Sequence, residues 1–344
     1  MRKLFAFISA LIILSLAGAG AYMMQANASK LPIRQFFPGN KTVAIWDWTD
    51  PTKRSPDELK QLSNYFYLHQ INTVYLDISG YPGISNNNAK KQQLSNALAA
   101  YVKAVSGRHV RVFAAAGNPD WSKPSQRYIP LSIQKYVFQY NSQHPKTQLA
   151  GLEFDIESYN QDGFPESSNT EKTITLTELL NTVSQLSSNQ KQYLQKTKQP
   201  NFELGFAIPY WFDNENGNIP SITWNSKTGP TLYHLVDTLN TLPHSNIVVM
   251  AYRNAATGND GVIFHSRTEV EYAQTKASHV KALIGQEVNN VEPAKITYYG
   301  MSISEFAQEV SLVNDEFKND TAYGGVAIND LAGLEQMDNT GLNN

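Results

Sequence analysis

The segment Gly151-Leu152-Glu153-Phe154-Asp155-Ile156-Glu157 alternates acidic with large apolar residues. An extended strand sends successive side chains to opposite faces. As a strand, this segment puts Glu153, Asp155 and Glu157 on one side and Leu152, Phe154 and Ile156 on the other. Carboxylates stacked on one face repel each other, and closing that face over them costs desolvation energy. Both effects raise carboxyl pKa values, which is what a general acid near neutral pH requires. The structural alternative is an exposed strand with a solvated acidic face. The three large apolar residues opposite read instead as a face covered by helices.

The elements that would position these acids alternate along the chain. Strands are predicted at 41–47, 71–77, 109–116, 149–157, 202–209, 246–252, 279–287 and 324–330. Helical stretches separate them. Ser55-Pro-Asp-Glu58 opens the first with a cap, a proline at the first helical position and a capping-box glutamate. The second runs from about Asn88 and stops at Gly107, a C-cap candidate. Others are expected at 133–143, within 170–198, and at 232–242, 266–278 and 304–318; the last, after the eighth strand, looks short. Eight strand-then-helix units predict an α/β fold, a single (β/α)8 TIM barrel, expected over residues 38–335.

Active sites of such barrels lie at the C-terminal ends of the strands. There the sequence places Trp46, Asp47 and Trp48, then Asp77, then Asn118 and Trp121. Next come Asp155 and Glu157, Tyr210 and Trp211, Tyr252 and Arg253, Gln286 and Glu287, and Asn329 and Asp330. All five tryptophans fall at or beyond strand ends by this reading. An aromatic rim above carboxylates and amides suits a polyhydroxylated ligand, because rings stack on the apolar faces of sugars. The expected substrate-binding set is Tyr252, Arg253, Trp46, Trp48, Asp47, Asp77, Trp211 and Asn329. The expected catalytic set is Glu157, Asp155 and Glu287.

The segment ending at Glu157 resembles the D-x-x-D-x-D-x-E signature of glycoside hydrolase family 18, the chitinase-like barrels. Met250-Ala-Tyr252 resembles that family's M-x-Y element on the sixth strand, and Gly324-Gly325 its G-G at the eighth. The resemblance implies Glu157 as general acid, Asp155 as its helper and Tyr252 as a contact to the substrate's acetamido group. The chain departs from the pattern at four places. Ala150 and Glu153 stand where the signature has Asp, Arg253 stands where Asp is usual, and Val326-Ala-Ile-Asn329 lacks the strand-eight Trp. A second pattern is also open. In the large retaining-glycosidase clan the acid/base Glu ends strand four and the nucleophile Glu ends strand seven, as Glu157 and Glu287 do here, although Ile156 precedes Glu157 where that clan prefers Asn. Such a pair would be about 5–5.5 Å apart for retention or about 6.5–9.5 Å for inversion. The resulting expectation is a glycosidase cleaving a surface or cell-wall polysaccharide. A non-catalytic carbohydrate-binding barrel is the alternative, motivated by Ala150, Arg253 and the missing Trp. Arg253 would then pair with a carboxylate or bind an anionic sugar.

Other chemistries lack their residues. There is no cysteine, so disulfides, thiolate metal sites and cysteine nucleophiles are excluded. The seven histidines form no zinc spacing. Asp47, Asp77, Glu153 and Asp155 would be the candidates for an oxygen-ligated cation; no metal or cofactor is expected. With 28 basic and 30 acidic residues, the near-balanced charge does not point to nucleic acid.

Met1-Arg2-Lys3 is followed by an apolar run over residues 4–24, then Ala26-Asn27-Ala28 before Ser29. That pattern predicts a signal peptide over residues 1–28, or an uncleaved anchor, since the run approaches the roughly 20 residues that span a bilayer. Either way the remainder is expected outside the membrane, secreted or tethered at the cell surface.

Overall fold

A computed structural model describes residues 41–340, apart from 198, 200, 215, 216, 218, 277 and 278. The expected signal or anchor over residues 1–28 lies outside the described residues. No described helix is long and apolar enough to cross a membrane.

The barrel strands are β1 (Thr42–Asp47), β2 (Thr73–Asp77), β3 (Arg111–Gly117), β4 (Gly151–Asp155) and β5 (Glu203–Pro209). After a hairpin of β6 (Ile222–Trp224) and β7 (Lys227–Gly229) come β8 (Ser245–Met250), β9 (Val280–Glu287) and β10 (Tyr323–Asn329). The eight strands pair in parallel in the closed order β1-β2-β3-β4-β5-β8-β9-β10. The fold is a (β/α)8 barrel, as the strand rhythm predicts.

The helices are α1 (Pro56–Leu68), α2 (Asn88–Ser106), α3 (Tyr128–Gln143), α4 (Asn169–Thr197), α5 (Thr231–Leu239), α6 (Arg267–Lys276), α7 (Ile303–Phe317) and α8 (Leu331–Thr340). Ser55 and Glu58 form the predicted capping box at α1, and Ser302 with Glu305 forms another at α7. Gly107 is the C-cap of α2. The region expected to hold one or two helices is a single helix, α4, of 29 residues.

Strand alternation divides the core in two. Val43, Ile45, Leu152, Phe154 and Ile156 face outward into a large cluster beneath the helices. Ala44, Trp46, Tyr75, Phe113, Ala115, Ala207, Val248, Leu283 and Ala327 form a separate cluster inside the barrel. The inner residues beside β4 are small. Glu153 lies in register with Ala115 on β3 and Gly205 on β5, and Asp155 with Gly117. Small neighbours leave room for acidic side chains that a barrel filled with Leu and Ile would exclude.

Candidate active site

The acidic strand is shorter than its sequence pattern. β4 ends at Asp155, and Ser158 N–H closes onto Ile156 O at 2.9 Å, turning the chain into a short 3-10 helix over Ser158–Asn160. Glu153 and Asp155 therefore occupy the inner face of the barrel, while Glu157 stands on the turn beyond them. Tyr159 O–H and Asn160 Nδ2–H both donate to Glu157 Oε2, the latter at 3.0 Å. Oε2 thus accepts twice, and Oε1 is the oxygen left for a ligand.

Glu153 is 1% exposed, and neither of its carboxyl oxygens has a hydrogen-bond partner. Burial first, then Asp155 and Glu203, push its pKa well up. A Cβ on Gly205 would collide with its carboxylate, so glycine is needed opposite it. Asp155 is pushed up to about 8 by burial and by the Glu157 carboxylate. It therefore keeps its proton at neutral pH, directly beneath Glu157.

Across the barrel, Glu287 ends β9 and is 4% exposed. Asn289 donates to Glu287 Oε1 from its backbone N–H at 2.7 Å and from Nδ2 at 2.9 Å. Asn329 Nδ2–H donates to Oε2 at 2.7 Å. Burial raises the Glu287 pKa against the pull of these donors. Tyr252 follows β8, and its ring lies against Gly285, where a Cβ would come within 2.9 Å of Tyr252 Cε1. Burial, then Glu287, Asp155 and Glu157, raise the pKa of the Tyr252 phenol. The phenol is thus flanked by acids of β4 and of β9.

Trp46 points into the barrel at 2% exposure and stacks on Trp48, with centroids 6.5 Å apart and rings 9° from parallel. Trp48 is 38% exposed, and its indole N–H donates to Asn329 Oδ1 at 3.0 Å. Asp77 ends β2, accepts from Ser79 N–H at 2.7 Å, and has its pKa raised chiefly by burial. Trp211, half-buried, meets Tyr159 edge to face at 4.8 Å, so it braces the residue that holds Glu157.

Other expected site residues are not brought to this cleft. Asp47 points outward, where Arg54 pairs with it at 2.7 Å and Tyr101 O–H donates to it at 2.9 Å. It sits between barrel and helices because its position on β1 has the parity of Val43 and Ile45. The guanidinium of Arg253 is engaged on three sides: Asp260 at 2.6 Å, the Tyr252 carbonyl at 2.7 Å and the Tyr210 hydroxyl at 3.1 Å. Arg253 does pair with a carboxylate, but that carboxylate is Asp260, which Lys295, then His265 and Arg253, hold well below the usual range. The expected rim of five tryptophans is reduced as well. Trp121 is 5% exposed within the outer core. Trp224, on the β6–β7 hairpin, is turned to Asn181 of α4, to which its N–H donates at 3.0 Å. Among the described residues, no group of three acidic or histidine side chains could hold a metal ion.

Sequence reasoning missed Tyr159, Asn160 and Asn289. Each lies two or three residues beyond a predicted site acid, close enough for its side chain to turn back onto that acid. A cleft of about 260 Å³ at the opposite end of the barrel is lined by Lys41, Arg111, Glu203 and Lys281, among others. It contains none of the strand-end acids, and its cations are occupied. Arg111 is paired with Glu203, and the two lysines donate to the carbonyls of Tyr323 and Thr321.

A GH18 chitinase from Pseudoalteromonas aurantia superposes with a TM-score of 0.54, covering 87% of this chain and 97% of that one at 12% identity. The shared fold is the (β/α)8 barrel. A class V chitinase from Nicotiana tobaccum, solved in complex with NAG4, matches at a TM-score of 0.49 and 12% identity, over 86% of this chain and 95% of its own. A xylanase and alpha-amylase inhibitor protein from Scadoxus multiflorus matches at 0.46 and 14% identity, over 89% and 99%. No family model and no curated protein matches the sequence. The likeness is one of fold, at 12% identity.

Proposed function

We propose that this chain is a glycoside hydrolase that cleaves a surface or cell-wall polysaccharide with Glu157 as general acid. The observation that carries the reading is the placement of a buried acid, Asp155, at the end of β4 with Glu157 on the turn just beyond it, held there by Tyr159 and Asn160; burial and the Glu157 carboxylate push the Asp155 pKa up to about 8. Two carboxyls this close exchange a proton readily, and the step they would perform needs one. Glu157 delivers the proton from Oε1 to the glycosidic oxygen as the bond to the sugar breaks. Both acids are then ionised and face the oxocarbenium-like sugar, which their negative charge stabilises. Water completes the hydrolysis and returns a proton to the pair. Trp48 offers its exposed ring to a sugar face, and the Tyr252 hydroxyl, set among the acids, orients the ring being cleaved. Glu287 holds three hydrogen bonds across its two oxygens, which suits a fixed binding group better than a nucleophile. Residues 4–24 would direct the chain to export and either be removed or tether it to the membrane.

The test is hydrolysis of a glycan panel by the mature chain and by Glu157→Gln. The substitution should lower turnover by about 10²–10⁴-fold. Equal rates from the two proteins would refute the assignment. Glycan binding without turnover by either would establish the non-catalytic carbohydrate-binding barrel instead.

A further inference from the structure

We infer that the cleft takes a glycan with free amino groups, its hexosamine units bound as ammonium ions with Glu287 as their partner. The inference rests on the carbohydrate reading above and names the substrate class. It begins from an imbalance of charge. Asp77, Asp155, Glu157 and Glu287 end strands β2, β4 and β9 or the turn after β4, and none of them forms an ion pair with a described residue. The cations nearest in sequence are committed elsewhere. Arg54 is taken by Asp47, and Arg253 and Lys295 both by Asp260. An anionic sugar would meet acids here with no cation to receive it, and a neutral sugar would bring none.

Glu287 is where the imbalance is sharpest. It is 4% exposed and accepts three hydrogen bonds, all from neutral amide groups. Three amide donors orient this buried carboxyl, but none of them brings a countercharge, and burial works against its charged form. Oε1 accepts twice and Oε2 once, which leaves Oε2 free for one further donor. An ammonium group is a compact donor carrying the missing charge.

The stacking ring and this carboxylate share one residue. Asn329 accepts from the Trp48 indole through Oδ1 and donates to Glu287 through Nδ2. A sugar lying on Trp48 is thereby placed at a set position relative to Glu287. The ring of Tyr252 packs on Gly285, two residues before Glu287 on the same face of β9, and adds a π-surface that favours a cation. The chain also lacks a Trp at the end of β10, where Asn329 stands instead.

The experiment is calorimetric titration of the full mature chain carrying Glu157→Gln, so that binding is read without turnover. Four pentasaccharides serve as probes: fully deacetylated glucosamine, N-acetylglucosamine, glucose and a uronic acid. The glucosamine pentamer should bind at least about tenfold more tightly than its acetylated counterpart, as one charge-assisted contact implies. That preference should shrink in 0.5 M salt, as expected for a charge contact. Adding Glu287→Gln, which keeps shape and removes charge, should abolish the preference. Should that double variant not fold, the ligand comparison and the salt dependence decide the matter without it. An acetylated, neutral or uronic pentamer binding as well as the glucosamine one overturns the inference, as does a preference that survives Glu287→Gln. Binding of the acetylated pentamer alone leaves the glycosidase reading standing, whereas no binding of any pentamer removes both.

Discussion

At the scale of single residues, the chemistry is concentrated in the step from Asp155 to Glu157. Asp155 has its ordinary value of 3.8 raised to about 8, because its charged form is desolvated and faces another carboxylate. A carboxyl with a raised pKa is protonated below that value, so a reaction needing its proton slows as pH rises through about 8. In the wild-type chain kcat/KM should therefore fall on the alkaline side near pH 8. Asp155→Asn should cost about 10²-fold in rate and remove that limb, since an amide holds no transferable proton. A pH–rate profile of both proteins checks this, and an alkaline limb unchanged in Asp155→Asn would assign the proton to another group. The acids of this site were legible in the sequence from their alternation. Their holders, Tyr159, Asn160 and Asn289, were not, because a Tyr or Asn beside an acid has many rotamers and only packing selects the one that turns back.

At the scale of elements, strand parity decided which predicted residues reach the cleft. Asp47 was expected there because it ends β1, yet it shares the outward parity of Ile45 and joins β1 to α2 through Arg54 and Tyr101. Removing the cation leaves a buried carboxylate unpaired, at a cost of about 3 kcal/mol. Arg54→Met should lose that much stability in denaturant titration, and a loss below about 0.5 kcal/mol would show that Tyr101 alone suffices. The pairing of β4 with β5 makes a second demand. Gly205 faces Glu153, and Gly205→Ala should destabilise by about 1–3 kcal/mol through overpacking. In a Glu153→Ala background the same substitution should cost less, because the colliding carboxylate is gone and only the Asn246 side chain still meets the new methyl. A thermodynamic cycle over the four proteins measures that coupling, and purely additive effects would contradict the contact.

At the scale of the whole molecule, the barrel encloses acids that the unfolded chain exposes to water. Asp155 ionises near 3.8 when unfolded and near 8 when folded, and Glu153 is shifted in the same direction. Between those values the folded state holds protons that the unfolded state has released. Stability is thus greatest on the acid side of this window and declines as pH rises from about 4 to about 8. Asp155 alone contributes a slope of at most about 1.4 kcal/mol per pH unit. Denaturant melts at pH 5 and pH 8 should show the loss, and Asp155→Asn should flatten it. A wild-type stability that rises across this range would mean the acids are hydrated in the native state.

The barrel itself was readable from sequence, because eight apolar strands spaced by capped amphipathic helices leave few other ways to bury both faces of a parallel sheet. Helix starts at Ser55 and the stop at Gly107 were local decisions, made by side chains within a turn of the backbone they cap. The strand-end position of Glu287 was equally local, whereas the turn that carries Glu157 past the end of β4 was not. The tertiary structure decided which charges are left without partners. Arg253 follows Tyr252 in sequence, and nothing in that adjacency shows that its guanidinium turns away to Asp260, seven residues on and folded back beside it. The 29-residue α4 and the loss of Trp121 and Trp224 from the rim are of the same kind. A side chain's partner depends on which elements closure of the barrel brings within about 4 Å of it, and that distance is set by the packing of the whole sheet rather than by any neighbouring residue.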